Sequence, residues 1–280
     1  MIKIILPGIY SSIQDAGRYG YRKFGVPLSG AMDQYAFRKG NLLLGNNPGA
    51  AAIEITGPGF ECEFLDNIKI CVTGADLGAE ILNKKTALNP GKPVLVKKGD
   101  IMKFSRMRCG LRAYIHVQGG IDVPLRLGSK SMYRGEKLVG GEIFQIGEIE
   151  AADGSGYYQN SYIEEKGEYV IRFRQGPDAG IFPSKYLKRL ENASFTVSKH
   201  YDRMGIRLSH DLQIVPIAKS IVTRPVFPGC IQLPGNGNPI IIMYDGQTTG
   251  GYPVWAVVEK KNMRIAGQLK SGDKVKFLHV

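Results

Sequence analysis

The sequence predicts a mainly β protein built as two related lobes, and three observations carry that expectation. Its 36 glycines among 280 residues are nearly twice the usual ~7%, which favours tight turns over long helices. Its strongest periodic signals are short β-branched runs bounded by Gly, Pro, Asn or Asp. The third observation is an internal repeat. Tyr21-Arg-Lys-Phe-Gly25-Val-Pro-Leu-Ser29 recurs at an offset of 180 as Tyr201-Asp-Arg-Met-Gly205-Ile-Arg-Leu-Ser209. Ala52 to Gly59 aligns with Cys230 to Gly237, each a strand running into a Gly-rich turn, and Lys97 to Phe104 aligns with Lys270 to Phe277. A period this long implies two domains rather than a solenoid. The boundaries it suggests are 1–168, with an extension from about 105 that has no counterpart, and 169–280.

Taken in order, strands are expected at IKIIL (2–6), IKICVTG (68–74), PVLVKKGD (93–100), RAYIHVQGG (112–120), PIIIMYDG (239–246) and KVKFLHV (274–280), with YVIRFRQGP (169–177) opening the second unit as IKIILPG opens the first. One helix is expected from Asp33 to Leu44, stopped by Gly45, with Ser29 and Asp33 as cap candidates; a second runs from Pro183 to Glu191 behind a helix-starting proline. Many strands with one or two short helices per unit point to a pair of closed or nearly closed β-barrels, because closure removes exposed edge strands.

Composition excludes several classes. A hydrophobic fraction of 43% with 22% charged residues supports a packed core and no disordered tract. No apolar stretch approaches the ~18 residues of a membrane span, and MIKIILPGIY reads as a strand and turn rather than a secretory leader; a cytoplasmic protein is expected. The cysteines Cys62, Cys71, Cys109 and Cys230 show no C-x-x-C spacing, so neither a metal site nor disulfides are expected. The net charge of +12 is spread over short clusters such as Lys84-Lys85 and Lys260-Lys261. That suits a small anionic substrate or an acidic partner better than a nucleic acid, which calls for a concentrated basic stripe.

Familiar catalytic motifs are absent from the sequence. There is no G-x-x-x-x-G-K-[ST] loop, no H-E-x-x-H and no G-x-S-x-G, and His116, His200, His210 and His279 stand apart. What remains are polar residues set between glycines: Ser12-Ile-Gln-Asp15-Ala-Gly-Arg18, Ser29-Gly-Ala-Met-Asp33, Gln118-Gly-Gly120 and Gln247-Thr-Thr-Gly-Gly-Tyr252-Pro253. Glycines let backbone N–H groups approach a ligand, and such donors stabilise an oxyanion without a nucleophile. The same residue types also cap turns and helices.

These motifs resemble a known family. SIQDAGRYGYRKFGVPLSGAMDQYAFRKGNLLLGN (12–46), VTGAD (72–76), GLRAYIHVQGGID (110–122), GSKS (128–131), DRMGIRL (202–208), PGCIQLP (228–234) and QTTGGYP (247–253) are similar to the signature of the biotin-dependent carboxyltransferase-like family, which includes allophanate hydrolase subunit 2, KipA and the C subunit of bacterial 5-oxoprolinase. The resemblance implies a pair of cyclophilin-like β-barrel lobes. It also implies an ATP-dependent 5-oxoprolinase-type amidohydrolase acting on a small amide or lactam with a KipI-like B subunit and a LamB-like A subunit, and inactive alone. Two other outcomes stay open: a KipA-like protein that sequesters a KipI-like kinase inhibitor, and a carboxyltransferase component. ATP would bind with the partner subunits. Biotin is not expected on this chain, which lacks a biotin-accepting M-K-M segment.

By motif position, the resemblance assigns Asp15 and Asp33 as acid/base or orienting groups and Arg18 and Arg203 as anion clamps. Ser29, Gln232, Gln247, Thr248 and Tyr252 become substrate-positioning groups. Because Gly-Ala-Met-Asp follows only the first repeat and Gln-Thr-Thr-Gly-Gly-Tyr-Pro occurs only in the second, the two sets are expected to face one shared cleft. Three departures from the family pattern stand out. Gly246 replaces an Arg, Lys130 and Met132 replace Arg and Thr in G-S-R-S-T, and Thr223-Arg224 replaces Ser-Glu. A lost Arg removes a bidentate fork that Lys cannot imitate, so an altered substrate or a mainly regulatory role is a further expectation.

Overall fold

Alternation of apolar and polar residues along short strands dictates the architecture, which is mainly β as expected. The computed structural model describes residues 1–133, 135–149, 154, 156–160, 163, 167–212 and 221–280. The chain divides into two compact units, one of residues 1–19 and 29–163 and the other of 20–28 and 164–280. The far end of the expected 105–168 extension lies partly outside the described residues.

In the first unit the strands sort into two sheets. The seven-stranded sheet runs in the order Ile121–Asp122, Ile143–Ile146, Ile2–Pro7, Phe60–Phe64, Ile101–Phe104, Ala79–Ile81, Thr86–Ala87. The five-stranded sheet runs Tyr10–Gln14, Ala52–Thr56, Cys109–Val117, Ile68–Asp76, Val94–Val96. Period-2 geometry explains what they enclose. Ile13, Ile53, Ile55, Ile68, Ile70, Val72, Ala113, Ile115 and Val117 of the five-stranded sheet join Ile2, Ile4, Phe60, Phe64 and Phe104 of the other sheet in one core. The opposite face of the five-stranded sheet carries Ala52 and Tyr114, which cluster with Ala36 and Phe37 of helix α1, Gln34–Leu43. Asp33, not Ser29, caps α1, its carboxylate accepting from the Ala36 N–H at 3.0 Å.

On that helix-covered face Glu54, Thr73, Arg112, Tyr114 and His116 are all buried. His116 Nε2 lies 3.0 Å from Thr73 Oγ1 and Nδ1 lies 3.3 Å from Asn41 Oδ1 of α1. Burial pushes the His116 imidazole down to about 3, against ~6.5 in an unfolded chain. Between those values the unfolded chain holds one more proton than the fold, so stability is full above about pH 6.5 and declines as pH falls. Urea titrations at pH 7 and pH 5 are expected to show the wild type losing about 2 kcal/mol more than His116→Gln over that interval; equal losses would contradict a neutral buried ring.

The second unit is a closed barrel in the order Glu168–Gln175, Val254–Val258, Cys230–Gln232, Ile240–Ile242, Gly205–Ser209, Ser194–Tyr201, Lys274–His279. The first and last strands pair in parallel and the remaining pairs are antiparallel. Its interior is filled rather than open. Trp255, Phe173, Phe277 and Phe195 are buried, with ring centroids 5.2 Å apart for Phe173–Trp255, 5.4 Å for Trp255–Phe277 and 5.2 Å for Phe195–Phe277. Helix α2, Ser184–Glu191, begins after Pro183 as expected, and a single turn, α3 at Met263–Ala266, was not signalled by periodicity. Among the described residues no helix is long and apolar enough to cross a membrane.

The sequence repeat is kept unevenly. The Lys97-Lys-Gly-Asp100 and Lys270-Ser-Gly-Asp273 turns are built alike: each Asp carboxylate accepts from the N–H three residues earlier, at 2.8 and 3.0 Å, and Gly99 and Gly272 adopt φ of +85° and +89°. Ala52–Thr56 and Cys230–Gln232 are likewise both strands leading into Gly-rich turns. The pairing of Tyr21–Ser29 with Tyr201–Ser209 is kept only in part: Arg22–Phe24 is a 3-10 turn and the matching residues 202–204 also turn, but Gly205–Ser209 is a barrel strand where the matching residues 25–29 form none.

Candidate functional site

In the first unit, two of the Gly-bounded segments and the GSKS motif (128–131) converge on Asp15, which follows the strand Tyr10–Gln14. Its Oδ1 accepts from Gly17 N at 2.8 Å, Ser129 Oγ at 2.8 Å and Ser131 Oγ at 2.6 Å; Oδ2 accepts from Lys130 N at 2.6 Å. The Asp15 N–H donates to Ser131 Oγ at 2.9 Å, and the Asp15 carbonyl accepts from Ala31 N at 3.0 Å. The Asp15 carboxylate therefore ties residues 15–18 to 128–131, and its backbone carbonyl ties them to 29–33. With four donors on two oxygens, Asp15 is arranged as an orienting group.

Arg18 is fully buried. Its Nε donates to the Arg126 carbonyl at 2.9 Å and its Nη2 to the Ser131 carbonyl at 2.8 Å, and its guanidinium lies 4.5 Å from the centre of the Tyr133 ring. Ser29 is buried with φ +54°, the left-handed region, a conformation that costs a non-glycine residue of order 1 kcal/mol. Its neighbour Gly30, at φ +87°, must be glycine, since a Cβ there would sit 2.8 Å from the Gly17 Cα. The two loops thus cross backbone against backbone.

Behind this crossing lies a buried polar layer that the sequence reading missed. Tyr114 donates to Glu54 Oε2 at 2.8 Å and accepts from the Asp33 N–H at 2.8 Å, while the same Glu54 oxygen accepts from Met32 N at 2.8 Å. Arg112 Nε lies 3.8 Å from Glu54 Oε1. Burial, followed by the Glu54 and Asp33 charges, raises the Tyr114 phenol well above its usual range, so it acts only as a neutral donor. The layer holds Met32 and Asp33, and with them the start of α1. A signal existed: Arg112, Tyr114 and His116 sit two residues apart on an otherwise apolar strand, with Glu54 paired opposite Tyr114, which places them on one covered face.

In the second unit, Arg203 and Asp245 are 6% and 9% exposed and form a two-point pair, Nε to Oδ2 at 2.8 Å and Nη2 to Oδ1 at 3.2 Å. The anion that Arg203 holds is the protein's own. Gln232 is buried; its Nε2 donates to the Tyr252 carbonyl at 3.2 Å and its Oε1 accepts from Gln247 Nε2 at 3.3 Å. Thr248 contributes its carbonyl to Val226 N at 3.0 Å, and Tyr252 is 47% exposed. The structure therefore brings Gln232, Gln247 and Tyr252 together.

The departures from the family pattern have local causes. At Gly246 a Cβ would lie 2.6 Å from Ile242 Cγ2, 2.8 Å from the Met204 carbonyl and 2.9 Å from the Met243 carbonyl, so this turn has no room for an arginine. Lys130 turns its ammonium to Asp122 Oδ1 at 2.9 Å, and Met132 packs on the core. Arg224 pairs with Asp178 at 2.7 Å, and the other Asp178 oxygen accepts from Val254 N at 2.8 Å. Among the described residues no group of three or more His, Cys, Asp or Glu could hold a metal ion, and all four cysteines are free thiols.

Comparison with known proteins places these motifs. A family model described as carboxyltransferase domain, subdomain A and B, matches residues 24–279. The C subunit of the Escherichia coli 5-oxoprolinase is 32% identical over 288 residues, covering 99% of this chain and 91% of that one. The urea amidolyase of Saccharomyces cerevisiae is 32% identical over 313 residues, but there the match takes up only 16% of the longer chain. The crystal structure of Kluyveromyces lactis urea carboxylase superposes with a TM-score of 0.88 at 29% identity, covering 100% of this chain and 27% of that one.

Proposed function

Because this chain belongs to the carboxyltransferase-domain family with subdomains A and B, we propose that it is the C-type subunit of an ATP-dependent 5-oxoprolinase-type amidohydrolase, which opens 5-oxoproline to glutamate. The observation that carries this reading is the end-to-end match with the E. coli protein, 99% of one chain against 91% of the other. In the urea enzymes the similar region is a minor part of a much longer polypeptide.

In this reading the amide oxygen gains negative charge as ATP activates it, and backbone and side-chain donors stabilise that charge. ATP is assigned to a KipI-like B subunit and a LamB-like A subunit, because this sequence offers no phosphate-cradling loop. Asp15 and Asp33 orient the Gly-rich loops, Arg203 braces its own turn through Asp245, and Gln232, Gln247, Thr248 and Tyr252 are the positioning groups of the second unit.

A carboxyltransferase role is the second reading, favoured by the similarity to urea carboxylase; biotin would then arrive on a partner. The test is ATP turnover by the co-expressed subunits with and without 5-oxoproline. Stimulation by 5-oxoproline is expected. Turnover that responds instead to urea and a biotinylated partner would replace the first reading with the second, and no substrate response at all would favour a regulatory binding protein.

A further inference from the structure

Helix α2 carries more positive charge than its own stability asks for. Leu187 and Leu190 are buried on one side, and helical spacing sets Lys185, Lys188 and Arg189, all exposed, on the other. Residues three and four apart on a helix are neighbours, so Lys185 stands beside both Lys188 and Arg189, and like charges in that arrangement destabilise a helix. Lys188 and Arg189 lie in the last turn, where the helix dipole favours cations, but Lys185 lies in the first, where it does not. The first turn holds no acid, and none of the three cations joins an ion pair among the described residues.

The three cations also share one groove. With Asn192, Ala193 and Leu212 they line a depression of about 560 Å³ whose floor Ala193 and Leu212 make partly apolar, and no acidic residue is among the described residues that line it. All of these residues belong to the second unit. Their chemistry selects a protein segment over a small phosphate ligand. Phosphate sites are built from backbone N–H groups of Gly-rich loops, and no glycine lines this groove. Long cationic side chains instead lay their stems along apolar side chains while their heads meet carboxylates.

We infer that this groove docks an acidic segment of a partner subunit, which sets carboxylates against Lys185, Lys188 and Arg189 and an apolar side chain over Leu212. The inference rests on the multi-subunit reading for the existence of the partner, but the partner's charge follows from the groove alone.

The test measures binding of the purified chain to each proposed partner subunit, immobilised in turn, by biolayer interferometry. Lys185→Ala/Lys188→Ala/Arg189→Ala is compared with Lys92→Ala/Lys97→Ala/Lys98→Ala, which removes the same charge from exposed sites of the first unit. Wild type is expected to bind one of the subunits, and to do so about tenfold more weakly at about 300 mM than at about 50 mM NaCl. The groove variant should bind that subunit about 30-fold more weakly at the lower salt, chiefly through slower association, and lose most of the salt dependence. The control should stay within about threefold of wild type, since it loses only long-range steering. The groove variant is also expected to melt no lower than wild type, because alanine is the better helix former and the like-charge neighbours are gone.

A groove variant that binds as the control does, wild-type binding that ignores salt, or no binding of wild type to either subunit overturns the inference. A clearly lower melting temperature overturns it as well, by showing that α2 uses these cations for its own packing. If the groove variant keeps its partner while the complex loses affinity for ATP, the ligand is a phosphate and the inference falls. ATP turnover separates this result from the hydrolase reading: stimulation by 5-oxoproline with undisturbed docking removes only the inference, and groove-dependent docking without stimulation removes only the hydrolase reading.

Discussion

Asp245→Ala is expected to destabilise the second unit by about 3–5 kcal/mol, because it removes a two-point carboxylate partner of the Arg203 guanidinium in a site where both are nearly excluded from water. The pair does more than neutralise. Asp245 N donates to the Arg203 carbonyl at 2.9 Å, and Asp202, one residue before Arg203, accepts from Met204 N and Gly205 N. The pair therefore pins a turn leading directly into the barrel strand Gly205–Ser209. At the size of this chain a loss of that order lowers the melting temperature by roughly 10 °C. The double variant Arg203→Met/Asp245→Leu should recover most of the loss, since removing both charges avoids the uncompensated one. A drop below about 2 °C in Asp245→Ala would show that Arg203 does not depend on this partner. The prediction also bears on mechanism: a ligand anion at Arg203 would have to displace Asp245 from a two-point contact.

Sequence reading reached the fold through features that act locally. The α1 and α2 boundaries followed from Asp33 and Pro183, and each expected strand formed because β-branched runs between turn residues have few other ways to bury themselves. The repeat pairing misled over its second half, because Gly205–Ser209 is a strand and the matching residues 25–29 are not; secondary structure there is set by surroundings that a nine-residue match does not contain. Among site residues, Asp15, Arg18 and Ser29 were legible because glycine spacing marks close backbone approach. Glu54 and Tyr114 were not, since their role depends on which strand face α1 covers. Asp245 escaped for a similar reason: nothing near it in sequence announces a partner 42 residues away. Gly246 looked like a lost functional group until its surroundings showed backbone where a side chain would go.

Asp15→Ala is expected to have the largest effect on activity, at least a hundredfold on 5-oxoproline-stimulated ATP turnover by the co-expressed subunits, together with about 3 kcal/mol or more of stability. The stability loss arises because the Gly17 and Lys130 N–H groups and two serine hydroxyls lose their acceptor in a buried site, and each stranded donor costs about 1–3 kcal/mol before relaxation. The activity loss arises because residues 15–18 and 128–131 no longer share an anchor, and a misplacement of about 1 Å is enough to cost a hundredfold. Asp15→Asn separates orientation from proton transfer. Its remaining oxygen can keep the three donors on Oδ1, but its amide nitrogen would face Lys130 N, so an intermediate stability loss of roughly 1–2 kcal/mol is expected. If Asp15 orients, activity across wild type, Asn and Ala will fall in step with stability and the pH dependence of turnover will keep its shape. If it transfers a proton, Asn will be as inactive as Ala despite folding better, and one limb of the pH profile will disappear. The geometry predicts the first pattern: an acid/base must free an oxygen for the substrate, and both Asp15 oxygens are engaged by the loops they hold.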